Sequence, residues 1–425
     1  MTVSFLLRMI FYILSSGILL YTLWICTISV IGGMAPKKTY APSAPQNIAV
    51  MICARNEEKV IGHLIDSLNQ QDYPKENYKI FVVAHNCQDR TAETAAAHGA
   101  SVFVRNSPEE NKKAQALQYG LSQVREAYGD FFSHYAVFDA DCLVHRDFLK
   151  EINAGLASGA DAASGYYSSK NFEDSLVSRL AGTLYYALME FSCIPQNNLG
   201  MPVNVYGSGY AAKMSLGVDL DQLDTMVDDF EFSTRLVMQE AKLIEVPTAI
   251  IYAEMPVTLC EALMQRRRWS MGNTQCYRKY RKQLRRKLPR LGWNGIKQYM
   301  DLCMNPVATI TTAGLLLGLV LLLTEGSLSA SAGYILTAVI VFCGFFFCSA
   351  VITLKRKEKG IRENLSVCLL FPLWILLSAV YAVDTMFRKD VEWVQTKRVS
   401  LRSVEDMEEL KKNEKVNIQH INSEK

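Results

Sequence analysis

The chain has 425 residues, which is more than one hydrophobic core normally holds, since cores stop growing at roughly 250–300 residues. Half of the residues are hydrophobic and 20% are charged, which excludes a disordered chain and predicts that part of it lies in lipid. The net charge is only +3, so no overall basic field indicates a nucleic-acid partner. The 11 cysteines form no CxxC pair, which disfavours a zinc site and a disulfide framework.

An apolar run at the start of the chain predicts a membrane anchor. Val3–Ile31 is almost wholly apolar, and a helix crosses a bilayer with about 20 residues. A cleaved signal peptide is disfavoured, because its apolar region is only about 7–15 residues long. We expect an N-terminal transmembrane anchor over residues 1–33 and a proline-rich linker over 34–46. Lys37 and Lys38 follow the anchor directly, which favours a cytosolic exit.

Residues 47–279 have the composition of a soluble domain in which short apolar strands alternate with helical segments. Strands separated by crossover helices predict a parallel, doubly wound sheet, which binds ligands beyond the carboxyl ends of its strands. Polar motifs fall at those ends. The predicted strands are Ile48–Ile52, Ile80–Val83, Val102–Val104 and Tyr135–Phe138, and the predicted helices are Glu57–Leu68, Arg90–His98, Asn111–Val124 and Phe230–Val237.

A basic stretch follows this domain, with the sequence RKYRKQLRRKLPRLGWNGIK at 278–297. Trp293 and Tyr299 accompany it and an apolar run comes next, a combination typical of a helix that lies on an anionic leaflet. A nucleic-acid patch is the alternative, which the lack of a nucleic-acid-binding motif in the sequence disfavours. We expect residues 280–305 to form a basic interfacial helix.

Three further apolar runs within 306–388 are each long enough, or nearly so, to cross a bilayer. The basic loop 355–362 is expected to be cytosolic, and the loop 324–331, without Lys or Arg, to be outside. If the third run crossed the membrane as well, the basic start of the tail would lie outside the cell, against the rule that basic segments stay in the cytosol. The third run is therefore re-entrant or broken at Pro372, or the charged tail over 389–425 is external; its charge favours a cytosolic tail. The runs are Val307–Leu323, Gly333–Leu354 and Leu365–Phe387.

Two aspartates close a predicted strand in the sequence Phe138-Asp139-Ala140-Asp141. Carboxylates at i and i+2 of a strand end can share one hard cation, which needs further anionic oxygen ligands such as a diphosphate. The alternative is a helix N-cap or a turn, where aspartate is common. Taken alone, the motif favours that alternative.

Another acidic pair, Asp228 and Asp229, stands just before an amphipathic helix. Acids at a helix N-terminus commonly cap the helix and complement its dipole. The functional interpretation is a general base, because adjacent carboxylates raise each other's pKa and one can deprotonate a substrate hydroxyl. The pair by itself is compatible with both interpretations.

A helical stretch carries the sequence QRRRW at 265–269. Arginine suits bidentate phosphate binding and a tryptophan face suits stacking on a sugar, whereas a solvated helix face would not explain the tryptophan. The sequence YGSG at 206–209 permits close approach of the backbone to a ligand, although alone it indicates only a turn.

In this order and spacing, the motifs resemble the family 2 glycosyltransferases, in particular the membrane-embedded processive branch that includes cellulose, hyaluronan and poly-N-acetylglucosamine synthases. The resemblance covers about 47–272, and WVQTKR at 393–398 is similar to the WxxTxR element of that branch. It implies an α/β fold, a GT-A type doubly wound domain inserted between an N-terminal transmembrane helix and a C-terminal bundle of about three membrane helices.

The resemblance also implies the chemistry, which is an inverting transfer from a nucleoside-diphosphate sugar, with UDP as the expected nucleotide and Mg²⁺ or Mn²⁺ as the cofactor. It implies Asp229, beside Asp228, as the catalytic base, and Asp141 with Asp139 as the metal ligands. The implied nucleotide-sugar-binding residues are Ala54, Arg55, Asn56, Glu57, Asn86, Asp89, Lys113 and Asp139, and those toward the acceptor and the diphosphate are Gly207, Ser208, Gly209, Gln265, Arg268 and Trp269.

Two residues depart from the family pattern. His85 stands where many members have an aspartate near the base and the ribose, and Asp228 replaces the usual glutamate, while the aspartate after it is kept.

We therefore predict a multi-pass protein of the cell membrane with a cytosolic catalytic domain, which adds hexosyl or N-acetylhexosaminyl units to a growing polysaccharide or glycan acceptor. One alternative is the transfer of a single sugar to a lipid-linked acceptor. Another is a catalytically inactive membrane protein that binds nucleotide sugars. The expected partners are the sugar donor, the acceptor and the lipid bilayer, and no nucleic acid is expected.

Overall fold

The computed structural model describes residues 3–107, 109, 112–217, 219–325, 330–391, 402–403 and 405–407. The helices are α1 (Val3–Met34), α2 (Ile61–Asn69), α3 (Thr91–Ala97), α4 (Lys113–Tyr128), α5 (Phe148–Ala157), α6 (Leu176–Leu188), α7 (Ile194–Asn198), α8 (Asp228–Met238), α9 (Leu259–Leu302), α10 (Met304–Glu325), α11 (Ala330–Arg356) and α12 (Leu365–Met386). The strands are β1 (Ile48–Ala54), β2 (Tyr78–His85), β3 (Ser101–Arg105), β4 (His134–Asp139), β5 (Leu143–Val144), β6 (Ala162–Ser169), β7 (Tyr210–Lys213) and β8 (Leu243–Ala253).

Within the described ranges, eight strands form one sheet in the order β3-β2-β1-β4-β7-β6-β8-β5. The half that contains β3, β2, β1 and β4 is parallel, as predicted. The prediction of a wholly parallel sheet is wrong, because β7 runs antiparallel to both β4 and β6, and β5 runs antiparallel to β8. These antiparallel strands have only two and four residues, which is too short for a hydrophobic pattern to reveal them.

Helices cover both faces of the sheet because the side chains of each strand alternate between the faces. In β1, Ile48 and Val50 pack in one core with α2 and α5, while Ala49 and Met51 pack in a second core with α4 and α8. The parallel half is therefore buried on both sides, which explains its almost continuous apolar strands.

The predicted strands and helices of residues 47–140 are all present, and one shift, at the start of α2, has a clear physical cause. This helix begins at Ile61 rather than at Glu57. The backbone N–H of Glu57 donates to Thr91 Oγ1 at 2.8 Å and that of Glu58 to Asp89 Oδ2 at 3.2 Å. The segment before α2 is therefore bonded to a neighbouring loop, which local helical periodicity does not indicate.

The basic stretch is not a separate helix, because it continues α9 up to a kink at Gly292, where φ is 55°. Before the kink, α9 packs on the soluble domain. Lys279 pairs with Glu231 at 2.6 Å, and Arg290 pairs with Glu240 at 2.5 Å. The predicted boundary at residue 280 therefore falls inside a helix whose upstream part carries Arg268 and Trp269.

Four described helices, α1, α10, α11 and α12, are long and apolar enough to cross a membrane. The helices α1 and α10 pack closely, because a Cβ atom at Gly314 would lie 2.6 Å from the backbone nitrogen of Ser15. The helix α12 is continuous with Pro372 inside it, so a break at that proline is not observed. The WxxTxR-like element at 393–398 and most of the tail lie outside the described residues.

Candidate active site

The candidate site lies where the parallel strands end. The strands β1 and β4 are neighbours with Cys53 opposite Asp139, and β2 lies on the other side of β1. The crossover connections leave β1 and β4 in opposite directions, which opens a crevice beyond their carboxyl ends. Four segments singled out in the sequence meet there: the loop at 54–57, the motif Asp139-Ala140-Asp141 (the DxD motif), the loop at 206–209 and the start of α8.

The nucleotide-binding residues predicted after β1 and after β2 lie in two loops, which are hydrogen-bonded to each other and to the loop after β3. Asn56 and Asn86 have left-handed backbones, with φ of 57° and 53°. Asn56 Oδ1 accepts from the N–H of Gln88 at 2.8 Å, and the Asn86 amide exchanges two hydrogen bonds with the backbone of Ser107. Asp89 accepts from the N–H groups of Glu58 and Thr91. The structure therefore gives these polar side chains a role in shaping the loops.

Other residues of this predicted set differ in their burial. Ala54 is buried at the end of β1 and contributes only its backbone. Arg55 and Glu57 are half-buried and directly follow β1. His85, the departure from the family pattern, is buried at the end of β2 beside the Asn86 amide, at 3.3 Å. The structure thus describes where these residues lie, and their role in binding a nucleotide sugar stays a prediction.

Lys113 connects the DxD to the loop at 206–209. Its Nζ atom lies 2.5 Å from Asp139 Oδ1 and also donates to the carbonyl oxygen of Gly207. Burial would lower the pKa of Lys113, but Asp139 and Asp228 outweigh it and raise the pKa. Lys113 is therefore positively charged and lies between the acidic groups of the crevice.

Asp139 and Asp141 are not helix caps, because the nearest helix, α5, has Asp147 as its N-cap. The backbone N–H of Asp139 donates to Ser208 Oγ at 2.9 Å, and Asp141 is 7% exposed. Among the described residues, no three His, Cys, Asp or Glu side chains converge to hold a metal ion by themselves. Two carboxylates fit a Mg²⁺ or Mn²⁺ ion whose other ligands come from a diphosphate and from water.

The loop at 206–209 brings the two acidic groups together. The N–H of Gly207 donates to Asp229 Oδ2 at 2.6 Å. A Cβ atom at Gly207, where φ is 23°, would lie 3.5 Å from Asp139 Oδ2 and 3.6 Å from Asp229 Oδ2. Ser208 is held by Tyr167, whose hydroxyl accepts from its N–H at 2.7 Å and donates to its carbonyl at 2.6 Å. Glycine is therefore favoured by the positive φ, at which an L side chain is strained, whereas the two carboxylates would make only ordinary van der Waals contacts with a Cβ atom.

Asp228 and Asp229 occupy the first turn of α8, whose N-cap is Val227 without a side-chain cap bond. Burial raises the pKa of Asp228 to about 6, an effect that Lys113 opposes and Asp229 reinforces. Burial also raises the pKa of Asp229, against hydrogen bonds from the N–H groups of Gly207 and Phe230. Neither residue is thus the N-cap of the helix, and the pair forms a half-buried acidic group with elevated proton affinity.

Helix α9 supplies the third side of the crevice. Arg268 is near enough to lower the pKa of both aspartates against the larger effect of burial, and Gln265 is half-buried on the same helix. Arg266 and Arg267 turn away, because Arg266 binds the carbonyl of Trp374 and Arg267 pairs with Asp384. The three consecutive arginines therefore have different surroundings, and Arg268 is the one whose charge acts on the acidic pair.

An aromatic wall that sequence analysis missed adjoins Asp229. The Tyr185 ring meets the Trp269 ring edge to face, with centroids 6.1 Å apart, and stacks on the Tyr167 ring at 5.6 Å. Burial and then the charge of Asp229 raise the pKa of Tyr185, so that carboxylate is among the charged groups that act on its hydroxyl. Tyr185 lies on α6, and the only sequence signal for it would have been the amphipathic pattern of that helix.

A second residue that sequence analysis missed, Lys170, lies behind the DxD. Its Nζ atom donates to the backbone carbonyl of Asp141 at 3.3 Å and lies 3.7 Å from Glu254 Oε2. Both side chains of this ion pair are buried. The pair therefore fixes the backbone that carries Asp141, and no local pattern in the sequence links these distant positions.

A mixed α/β sheet with acidic groups at the ends of its parallel strands is the arrangement of a GT-A type glycosyltransferase. The sequence profile of the family described as Glycosyltransferase like family 2 matches residues 45–272, more than half of the chain. The chain belongs to this family of nucleotide-sugar transferases.

Two curated proteins show how the similarity is distributed. The beta-monoglucosyldiacylglycerol synthase of Synechocystis sp. is 26% identical over 243 residues, which cover 55% of this chain and 49% of that protein. The chain thus spans about half of the length of that relative. The Bacillus subtilis protein described as probable glycosyltransferase YdaM is 23% identical over 380 residues, 83% of this chain and 86% of that protein.

Among solved structures, the mannosyltransferase PcManGT from Pyrobaculum calidifontis, in complex with GDP-Man and Mn²⁺, is similar with a TM-score of 0.58. It is 18% identical, and the match covers 90% of this chain and all of that one. The similarity confirms the GT-A type fold.

Proposed function

We propose that the protein is a membrane-bound inverting glycosyltransferase, which moves one sugar from a nucleoside-diphosphate sugar to a hydroxyl of a lipid or lipid-linked glycan at the membrane surface. The observation that carries this proposal is the position of Asp229. Its carboxylate accepts a hydrogen bond from the N–H of Gly207, on the side of the other acidic groups. Its charge also acts on Tyr185, which forms the aromatic wall with Trp269. That wall belongs to α6 and α9, on which the apolar helices α11 and α12 pack.

On the donor side, Asp139 and Asp141 would hold a divalent cation. When bound, such a cation neutralises the diphosphate as the sugar leaves. Lys113 adds a positive charge next to Asp139, and Arg268 adds another from the opposite wall. These fixed charges stabilise negative charge on the leaving group without reorganisation of solvent.

On the acceptor side, Asp229 acts as the general base. The acceptor oxygen attacks the anomeric carbon from the face opposite to the diphosphate, while its proton passes to Asp229 and the bond from that carbon to the diphosphate oxygen breaks. The elevated pKa of the half-buried acidic pair makes proton uptake favourable. Asp228 tunes this pair rather than receiving the proton, because Asp229 is the residue that accepts the hydrogen bond from Gly207.

Trp269 and Tyr185 would orient the acceptor, because aromatic faces pack on the apolar faces of sugar rings. The names of two relatives point in the same direction. The Synechocystis relative is named for a glucosylated diacylglycerol, and a Methanococcus voltae relative, 33% identical over 107 residues, for a dolichyl phosphate glycan. A lipid acceptor also suits a site whose acceptor wall adjoins apolar helices.

The test is a donor and acceptor screen with the full chain in lipid nanodiscs. Radiolabelled UDP- and GDP-sugars are supplied with extracted membrane lipids, and the product is partitioned between organic and aqueous phases. We expect a labelled lipid that carries one added sugar, absent in Asp229→Asn and present in Asp72→Asn, a control at an exposed carboxylate paired with Lys150. Release of nucleoside diphosphate without any glycosylated product would contradict the proposal.

A second candidate is processive extension of a polysaccharide, which the QRRRW motif at 265–269 favours through its match to the processive branch. The same experiment distinguishes the two, because a processive enzyme yields a water-soluble ladder or a high-molecular-mass polymer from one donor.

A further inference from the structure

The helix α12 has the composition of a transmembrane span, yet its beginning contacts the soluble domain. The Arg179 guanidinium on α6 donates to the carbonyl of Glu363 at 3.4 Å, two residues before the helix starts. The neighbouring helix α11 ends at the same place, because Arg356 and Lys357 both pair with Glu190 near the end of α6, at 3.1 and 2.9 Å. The first turn of α12 is therefore level with the soluble-domain end of α11.

The other end of α12 also contacts the soluble domain. Arg278 on α9 donates to the carbonyls of Met386 and Arg388 at 2.7 and 2.9 Å, and Thr385 lies 3.0 Å from Ser270. This part of α9 packs on α8, since a Cβ atom at Gly272 would meet Val227.

The first turn of α10 is level with this end of α12. Asn305 binds the carbonyl of Ser270 at 2.7 Å, and Thr309 lies 3.5 Å from the carbonyl of Ala382. The last residues of α12 are thus level with the soluble-domain end of α10.

The middle of α12 lies along α9 rather than away from it. The Arg266 guanidinium, 4% exposed, donates to the carbonyl of Trp374 at 2.9 Å and lies 4.2 Å from the centre of its ring. It also binds the hydroxyl of Ser378. A helix of 22 residues is about 33 Å long. Both ends and the middle of this length contact the soluble domain, which a helix along the membrane normal could not do.

The outward face of α12 is an apolar stripe. Five side chains at helical spacing are 49–60% exposed and form what we call the leucine stripe: Leu365, Leu369, Leu373, Leu376 and Val380. The opposite face, with Phe371 and Trp374, is buried in the core of the protein. One face of α12 is buried against protein and the other is the leucine stripe, so both faces are apolar. The high hydropathy of α12 is therefore explained even if the helix does not cross the membrane.

The chain after α12 provides an independent observation. Arg402 donates to the carbonyl of Lys170 at 2.8 Å and pairs with Asp174 at 2.5 Å. Met407 packs in a cluster with Leu143 and Tyr252 of the sheet. The described residues of the tail therefore lie on the soluble domain, on the side of the membrane where α12 begins.

We propose that α12 is a membrane-surface helix whose leucine stripe inserts into the leaflet next to the soluble domain, and that only α1, α10 and α11 of the described helices cross the bilayer. The partner of the stripe is lipid, because α12 packs on α10 and α11, whose exposed side chains are also apolar, as at Leu319 and Ile340. Two exposed basic residues suit anionic head groups: Lys355 in the last turn of α11, which is level with the start of α12, and Lys389 just after the end of α12. The proposal rests on the membrane attachment proposed above, and it keeps the basic start of the tail on the same side of the membrane as the soluble domain.

The first test measures depth. An encoded fluorescent amino acid is placed at Leu365, at the end of the helix, or at Leu376, near its middle, in the full chain in vesicles, and quenching by lipids labelled at different depths gives its distance from the bilayer centre. A crossing helix places Leu365 about 15 Å farther from the bilayer centre than Leu376, whereas a surface helix predicts equal depths within a few ångström. The same pair of measurements at Leu336, at the end of the apolar span of α11, and at Cys348, near its middle, should show a difference of more than about 10 Å. A gradient along α12 like that along α11 would overturn the proposal.

The second test measures sidedness. Cysteines at Glu358 and Lys389, which flank α12, are exposed to a membrane-impermeant reagent, and modified peptides are identified by mass spectrometry against the native cysteines. We expect both to react from the side on which Glu126→Cys of the soluble domain reacts. Reaction of Lys389→Cys from the opposite side would overturn the surface helix. Failure of the chain to associate with vesicles at all would instead contradict the membrane attachment.

Discussion

The donor half and the acceptor half of the crevice are built in different ways. The donor half comes from loops that directly follow β1, β2 and β4, and its polar side chains bind each other and the backbone. The proposed acceptor half comes from α6 and α9, which are far apart in the sequence, and its main features are aromatic. The loop at 206–209 lies between the two halves. The difference teaches that the proposed donor half is built from local hydrogen bonds, whereas the proposed acceptor half depends on how distant helices pack on each other.

The largest expected effect is at the boundary between the halves. Asp229→Asn should retain donor binding and lose turnover by about 10²–10⁴-fold, the usual effect of removing a general base. Asp228→Asn should be milder, because Asp228 only tunes the pKa of the pair and its neighbour is the assigned base. Steady-state rates at saturating donor decide between them, with Asp72→Asn as control. A more damaging Asp228 change would mean that the roles within the pair are reversed.

On the donor side, Asp141→Asn should remove most of the activity and leave the fold intact, because a hard cation loses an anionic ligand. Binding of Mn²⁺ in the presence of nucleoside diphosphate, followed by electron paramagnetic resonance, should weaken in parallel, and circular dichroism should be unchanged. Full turnover of this variant in the presence of a chelator would exclude the metal assignment.

Between the halves, Gly207→Ala should reduce turnover by roughly 10–100-fold, because alanine is strained at the positive φ of this residue and would shift the backbone that bonds to Asp229 and Lys113. Gly217→Ala is the matched control, since a Cβ atom there meets no atom within 4 Å. Rates and melting temperatures of both variants are compared. Equal rates in the two variants would show that the loop at 206–209 tolerates a side chain.

On the acceptor side, Trp269→Ala should impair transfer more than donor binding, because the ring belongs to the aromatic wall and not to the charged groups. Turnover and acceptor KM are measured beside donor affinity by calorimetry, with Trp293→Ala, an exposed tryptophan beyond the kink, as control. A fall in donor affinity as large as the fall in turnover would move Trp269 to the donor half or to the core.

The smallest expected effect is that of mild acid. Burial raises the pKa of Asp229, so this base takes up a proton at a higher pH than an exposed aspartate does, and a protonated base cannot accept another proton. Turnover should therefore decline by about tenfold per pH unit on the acidic limb of the pH–rate profile and be constant above that limb. The acidic limb of the pH–rate profile should move to lower pH in Asp228→Asn; an unchanged limb would assign it to another group.

The two halves also differ in how far the sequence predicted them. The parallel strands of the donor half and the residues at their ends follow from hydrophobic runs and nearby polar residues, so that Asp139, Lys113 and the loop asparagines are where the sequence indicated. Local patterns report local structure well, because each of these residues lies within a few positions of the strand or helix that positions it.

The sequence alone also determined the apolar runs, the family and the acidic pair, since these depend on composition and on motif order. Only the tertiary structure decided that β7 reverses direction, that Tyr185 and Lys170 adjoin the site, and that both ends of α12 contact the soluble domain. Hydropathy measures how apolar a helix is, whereas the direction of that helix is set by partners such as Arg266 and Arg278 that lie about 110 residues earlier in the chain. Such distant contacts leave no periodic signal in the sequence of the helix itself.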